Sequence, residues 1–348
     1  MINKNKGITL IALIITIVVL IILAGAALNI ALGENGIFTK SKLAADTYTN
    51  AAANEAVELR KAENVIDDLT GNGGGSSSEP TISENTIPKE TTGNGYIGYY
   101  ADVDGNGSID GVIYVDLLVK KPTEGVFSQA SEAYEEGGGE YTLPTDVTTS
   151  NVKDYVVSET AVTDSRFDST ARYIISPASS TSGTKNRFYV MGLEDITDGT
   201  NNTFYWYSSA YDVMTDYETT TSEDFGTGKT NTTAMLAKWD GELYGTQNDS
   251  DLWKWIKVKT GEENEGWFVP SRAEWTAFGD AFSIHSNIYD QNWNVTESPN
   301  YTNYKLSEIY WSSSQSGKRS AYVADNNEAY ISYARTSNSN SVRLSTTF

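Results

Sequence analysis

The stretch Trp267-Phe-Val-Pro-Ser-Arg-Ala-Glu-Trp275 places a strand and a helix back to back. Trp267-Phe-Val is aromatic and β-branched, which suits a short strand, and Pro270 closes it because proline has no N–H to offer a ladder. Ser271 and Glu274 then stand three apart, the spacing at which each side chain can bond the other's backbone N–H at a helix start. Trp275, Phe278 and Phe282 recur every three or four residues, so a helix with one apolar face is predicted over Ser271–Phe282. Working outward, short aromatic or β-branched runs bounded by Gly, Asn, Ser or Asp read as strands: Arg187–Leu193, Phe204–Ser209, Tyr310–Ser314, Ala321–Ala324, Ala329–Ala334 and Ser341–Phe348. Thr232–Trp239 and Asp251–Lys259 are further helical stretches. The C-terminal part is therefore expected to be a β-rich body with a few helices.

The N-terminal part differs. Ile8–Leu32 is 25 residues without a charge, preceded by Lys4 and Lys6, and 16 of them are Leu, Ile or Val. As a helix it would be about 37 Å long, enough for a bilayer core of about 30 Å. The two lysines place its short N-terminal side in the cytoplasm and the body outside. A cleaved secretory signal, with Ala24-Gly25-Ala26 as the small-residue site, is the alternative. Beyond Gly36, apolar residues at Ala45, Tyr48, Ala52, Ala56, Leu59, Ala62, Ile66 and Leu69 mark one face of an amphipathic helix, a stalk. Residues 71–95, rich in Gly, Ser, Thr and Pro, read as a flexible linker. The expected order is a leader over 1–7, a transmembrane and stalk helix over 8–70, a linker over 71–95, and an extracellular domain over 96–348. In class this is α+β, a long N-terminal helix followed by a β-rich domain.

Lys4-Asn5-Lys6-Gly7-Ile8-Thr9-Leu10-Ile11 resembles the leader of type IV prepilins. The resemblance implies cleavage between Gly7 and Ile8 by a prepilin peptidase and packing with other pilin-like subunits. The family's glutamate five residues into the mature chain is replaced by Ala12, which removes a charge that neighbouring subunits would pair in lipid. A second resemblance joins Trp267–Trp275, the Tyr310-Trp-Ser-Ser-Ser run and the Arg343-containing final strand. Together they look like the C-type-lectin-like fold, in the branch of formylglycine-generating enzymes and bacterial surface domains, including retroelement-diversified ones. That fold implies ligand binding.

Charge and composition narrow the function. The chain has 348 residues and a net charge of −21, and residues 96–348 hold 18 Lys/Arg against 36 Asp/Glu. A field of that sign repels nucleic acid and anionic headgroups, so nucleic acid is not an expected partner. Having no cysteine, the chain has no disulfides, thiolate metal sites or thiol catalysis. His285 is the lone histidine, more simply a structural residue than a ligand, and no spaced carboxylate pair stands out. Catalysis is not expected.

Two segments carry candidate binding chemistry. Ala101-Asp-Val-Asp-Gly-Asn-Gly-Ser-Ile-Asp-Gly111 puts Asp102, Asp104, Asn106 and Asp110 at loop positions 1, 3, 5 and 9, with the Ser108 carbonyl at 7. This is oxygen-donor spacing for calcium, held between strands rather than helices and without the glutamate at position 12. A metal-free Asp/Gly turn is the alternative reading. The second segment follows Trp311 and is rich in Ser, Tyr and Asn: Ser316, Lys318, Arg319, Tyr322, Asp325, Asn327, Tyr330, Ser332, Tyr333, Thr336, Asn338 and Asn340. Tyr offers area with few rotors, and Ser and Asn adapt their hydrogen bonds. From Ser316 to Arg343 it holds four Lys/Arg against Asp325 and Glu328, so it is locally positive on an acidic body. It reads as a ligand-binding face, with an ordinary solvated sheet edge as the alternative. The functional expectation is an adhesin- or receptor-like protein of the cell membrane and surface, binding an extracellular protein or glycan. The alternative is a structural minor pilin or pseudopilin.

Overall fold

The computed structural model describes residues 85–90, 93–119, 127, 141–260 and 266–348, which belong to one compact unit, Ser78–Phe348. The first sheet has six strands: β1 (Tyr100–Ala101), β2 (Gly111–Asp116), β3 (Tyr155–Val157), β4 (Ile174–Pro177), β5 (Phe188–Asp195) and β13 (Arg343–Thr347), in the order β13-β5-β2-β1-β4-β3. The second has five: β6 (Thr203–Tyr205), β9 (Ile309–Gly317), β10 (Ser320–Asp325), β11 (Tyr330–Arg335) and β12 (Ser339–Ser341), in the order β11-β10-β9-β12-β6. A hairpin of β7 (Ile288–Tyr289) and β8 (Val295–Glu297) stands apart. Pairing is antiparallel except between β1 and β4 and between β9 and β12. β12 and β13 are separated only by Val342, so one run of chain passes from the second sheet into the first.

The α-helices bounded within the described residues are α1 (Tyr217–Thr220), α2 (Gly228–Asp240), α3 (Leu252–Thr260) and α4 (Arg272–Ala281), of 4, 13, 9 and 10 residues. This corrects the expected α+β architecture led by a long helix. The described residues are β-rich, and no helix among them is long and apolar enough to cross a membrane. The physical reason is local. Aromatic and β-branched residues occur in runs too short for helices, and Gly, Asn or Ser interrupts them. The membrane and stalk helix over 8–70 falls outside the described residues.

α4 carries the reciprocal cap expected from Ser271 and Glu274. Ser271 N–H donates to Glu274 Oε2 at 2.7 Å, and Glu274 N–H donates to Ser271 Oγ at 3.2 Å. Glu274 is fully buried, and burial pushes its carboxyl up to about 7 against the opposing pull of the Ser271, Gly228 and Gly226 N–H groups. The apolar face of α4, with Trp275, Phe278 and Phe282, packs against Val112 and Tyr114 of β2 and against Ala324 and Ile331 of the second sheet. The other face of β2 puts Ile113 into a separate core with Ile87, Val152, Ile175 and Phe348. Both faces of the first sheet are therefore covered, which is why β2 is buried along its whole length. A third core joins Trp206, Trp311, Val323 and Val342 to Met235 and Trp239 of α2 and Trp253 of α3.

The Trp-Ser-Ser-Ser run is structural. Trp311 Nε1 donates to the Phe204 carbonyl at 2.7 Å and Trp275 Nε1 to the Trp311 carbonyl at 3.1 Å. Ser312 Oγ donates to the Tyr322 carbonyl and Ser314 Oγ to the Ser222 carbonyl, so small hydroxyls tie β9 to its surroundings where larger side chains would not fit. Residues 85–90, within the stretch expected as linker, pack on the body. Ile87 is buried and its N–H reaches the Tyr155 carbonyl at 2.9 Å, while Lys89 pairs with Asp154 at 2.8 Å. Beneath them Arg187 makes a two-pronged, solvent-free pair with Asp116 at 2.9 Å on both arms, and its third nitrogen donates to the Pro88 carbonyl.

Candidate functional site

The calcium-spaced loop joins β1 to β2. Oxygens of Asp102, Asp104 and Asp110 lie within 4.8 Å of one another. Each is held by the loop itself. Asn106 N–H donates to Asp102 Oδ1 at 3.0 Å and Gly107 N–H to Asp102 Oδ2 at 3.0 Å. Asn106 Nδ2 donates to Asp104 Oδ2 at 2.8 Å, Val103 N–H to Asp110 Oδ2 at 2.7 Å, and Ser108 N–H to Asn106 Oδ1 at 2.8 Å. Ser176 Oγ, from β4, also donates to Asp102 Oδ2 at 3.0 Å. Gly105 and Gly107 take φ of +74° and +89°, the left-handed values that let the chain wrap inward. Burial pushes the Asp110 carboxyl up, and Asp104 and Asp102 beside it push the same way against the Val103 N–H. A hard divalent cation would relieve that repulsion, and the donor set of oxygens alone fits one.

The twelve residues expected as one ligand face divide into several places. β10 and β11 pair directly, with Tyr322 opposite Tyr333 and Asp325 opposite Tyr330. A six-residue strand spans roughly 17 Å at about 3.4 Å per residue. The turn holding Asp325 and Asn327 therefore lies at one end and the turn holding Lys318 and Arg319 at the other. At the Asp325 end, the carboxylate accepts the Glu328 N–H at 3.0 Å and closes its own turn, while Asn327 Nδ2 donates to Glu328. Tyr322 is half-buried, its hydroxyl donating to Glu223 Oε1 at 2.8 Å, with the Arg272 guanidinium 5.1 Å from its ring. Thr336 is buried, and its carbonyl accepts from the N–H groups of Trp206 and Tyr207. Asn340 pairs through its backbone with Phe204. Ser316, Ser332 and Tyr330 are half-buried. These contacts hold the sheet together.

The opposite end is different. Lys318, Arg319, Arg335 and Asn338 are exposed, and Tyr333 is 54% exposed. Ser320 pairs with Arg335, and Thr336 N–H donates to the Arg319 carbonyl at 3.0 Å, so the two arginines share this end. Arg319 lies with its guanidinium carbon 5.6 Å from the Tyr211 ring centroid and donates to the Tyr211 hydroxyl at 3.0 Å. Tyr211 is 55% exposed and Val213 46%. None of Lys318, Arg319 and Arg335 forms an ion pair among the described residues. Tyr211 was invisible to sequence reasoning, because 108 positions separate it from Arg319. The processing pair Gly7 and Ile8 lies outside the described residues. No protein family, curated protein or solved structure matches the chain.

Proposed function

We propose that this protein is a cell-surface ligand-binding protein, held at the membrane by its uncharged 8–32 stretch and presenting the Arg319–Tyr211 end of the second sheet to an extracellular ligand. The resemblances to prepilin leaders and to C-type-lectin-like surface domains support the placement and the use. The observation that carries the reading is the cluster of three cations without ion pairs beside exposed Tyr211, on a body whose net charge is −18. Such an end attracts an anionic group, while the acidic remainder of the body repels one. The end is preorganised as well: the guanidinium is already held beside an aromatic ring by its bond to the Tyr211 hydroxyl, leaving its other N–H donors for carboxylate, sulfate or phosphate. The Asp102 loop, with calcium, would stiffen the β1–β2 connection.

The test uses full-length protein in envelopes and in detergent. N-terminal sequencing is expected to begin at Ile8, with the protein in the membrane fraction. On an array of carboxylated, sulfated and phosphorylated glycans, Arg319→Ala and Tyr211→Ala should each weaken the strongest signal about ten-fold. Recovery in sheared filaments with no array binding would replace this reading by a structural filament subunit.

A further inference from the structure

A groove beside α3 carries chemistry that the Arg319 end does not use, and it meets the Asp102 loop only at Ile109 and Asp110. Its volume is about 730 Å³, with the end of β5 and the following residues on one side and α3 on the other. Two indoles line it. Trp255 is fixed by its Nε1, which donates to the Asp249 carbonyl at 2.8 Å. Trp267 lies beside the β5 backbone: a Cβ at Gly192 would stand 3.4 Å from its ring, in van der Waals contact. Val258, 65% exposed, extends the apolar wall.

Carboxylates stand against that wall. Asp195 is matched by Arg343 at 2.7 Å and Arg166 by Asp164 at 2.6 Å. Glu194 and Asp198 form no ion pair among the described residues, the Asp198 oxygens accepting only from Thr200 and Asn201 of its own turn, and the remaining cation lining the groove is Lys259. The surplus is negative. Indole faces attract cations through the ring quadrupole and pack against C–H surfaces, while carboxylates accept from hydroxyl and ammonium donors. An extended peptide would seek a free strand edge, and β5 offers none, being bonded to β2 on one side and β13 on the other. Recognition must come from side chains aimed at rings, hydroxyls and a positive charge. We propose that this groove binds a saccharide bearing free amino groups, a hexosamine unit whose nitrogen carries no acyl group.

Calorimetry on the full-length protein tests this with three probes: a tetramer of β-1,4-linked glucosamine, its fully N-acetylated counterpart, and tetralysine. The free-amine tetramer should bind at least about ten-fold tighter than either other probe, with Trp255→Ala and Glu194→Gln each weakening it about ten-fold. Circular dichroism should be unchanged in both variants, and Arg319→Ala should leave this affinity intact. Equal affinity for the acetylated tetramer, tighter binding of tetralysine, loss of binding in Arg319→Ala, no effect of Glu194→Gln, or no heat from any probe overturns the proposal.

Discussion

Two arginines divide the molecule. Arg187, in the first sheet, is 1% exposed, and Asp116 and the Pro88 carbonyl take up its three nitrogens, with the rings of Tyr96 and Phe188 about 5 Å away. Arg319, at the end of the second sheet, is exposed, leans on one tyrosine and meets no carboxylate. A buried guanidinium without its partner is an uncompensated charge in a poor solvent, whereas an exposed one keeps its water. The first therefore holds the fold, and the second is free to meet something else.

The sharpest way to break this comparison is Asp116→Ala. It should cost about 3–5 kcal/mol of unfolding free energy, because Arg187 would stay buried and unpaired. Denaturant titration measures this, and a loss below about 1 kcal/mol would show that water reaches the pair. A somewhat smaller effect comes from Glu274. Its folded value lies above its unfolded one, so the body binds the extra proton and is favoured at low pH. That contribution is complete below about pH 4.5 and is lost as pH rises to about 7, amounting to roughly 3 kcal/mol. Glu274→Gln should flatten this part of the stability profile, and an unchanged slope between pH 4.5 and 7 in the variant would assign the dependence elsewhere. The smallest effect concerns the Asp102 loop. With a dissociation constant near 1 mM, calcium at 10 mM should stabilise the protein by about 1.4 kcal/mol. Thermal melts with calcium and with chelator should differ by a few degrees, and Asp104→Asn should erase the difference.

Parts of this fold could be read from residues alone, and the reason is locality. The cap of α4 involves Ser271 and Glu274, three positions apart, and the Asp102 loop closes within nine residues, so spacing reports both. Phe204–Ser209 reads as a six-residue strand, yet the ladder stops at Tyr205. Trp206 and Tyr207 instead give their N–H groups to the Thr336 carbonyl, a partner some 130 positions distant. The same distance effect blurred the ligand face. A Ser/Tyr/Asn-rich segment marks polarity but not which end of a hairpin each residue occupies, so sequence alone groups Asp325 with Lys318 although a whole strand separates them. Thr336 reads as part of that face, but its backbone is committed to a chain crossing that the local sequence does not announce. Long-range contacts also hide the groove, whose lining residues come from positions between Ile109 and Leu344.

The late arrival of β13 has a consequence for how the protein is made. Val190 of β5 pairs with Thr346 of β13. At about 5–20 residues per second, roughly ten seconds or more of synthesis separate the two. Throughout that interval β5 presents Tyr189, Met191 and a row of unsatisfied amides along an open edge, the kind of template on which nascent chains cross-associate. A holdase that shields this edge until the strand emerges would raise the yield of folded protein without touching its final stability.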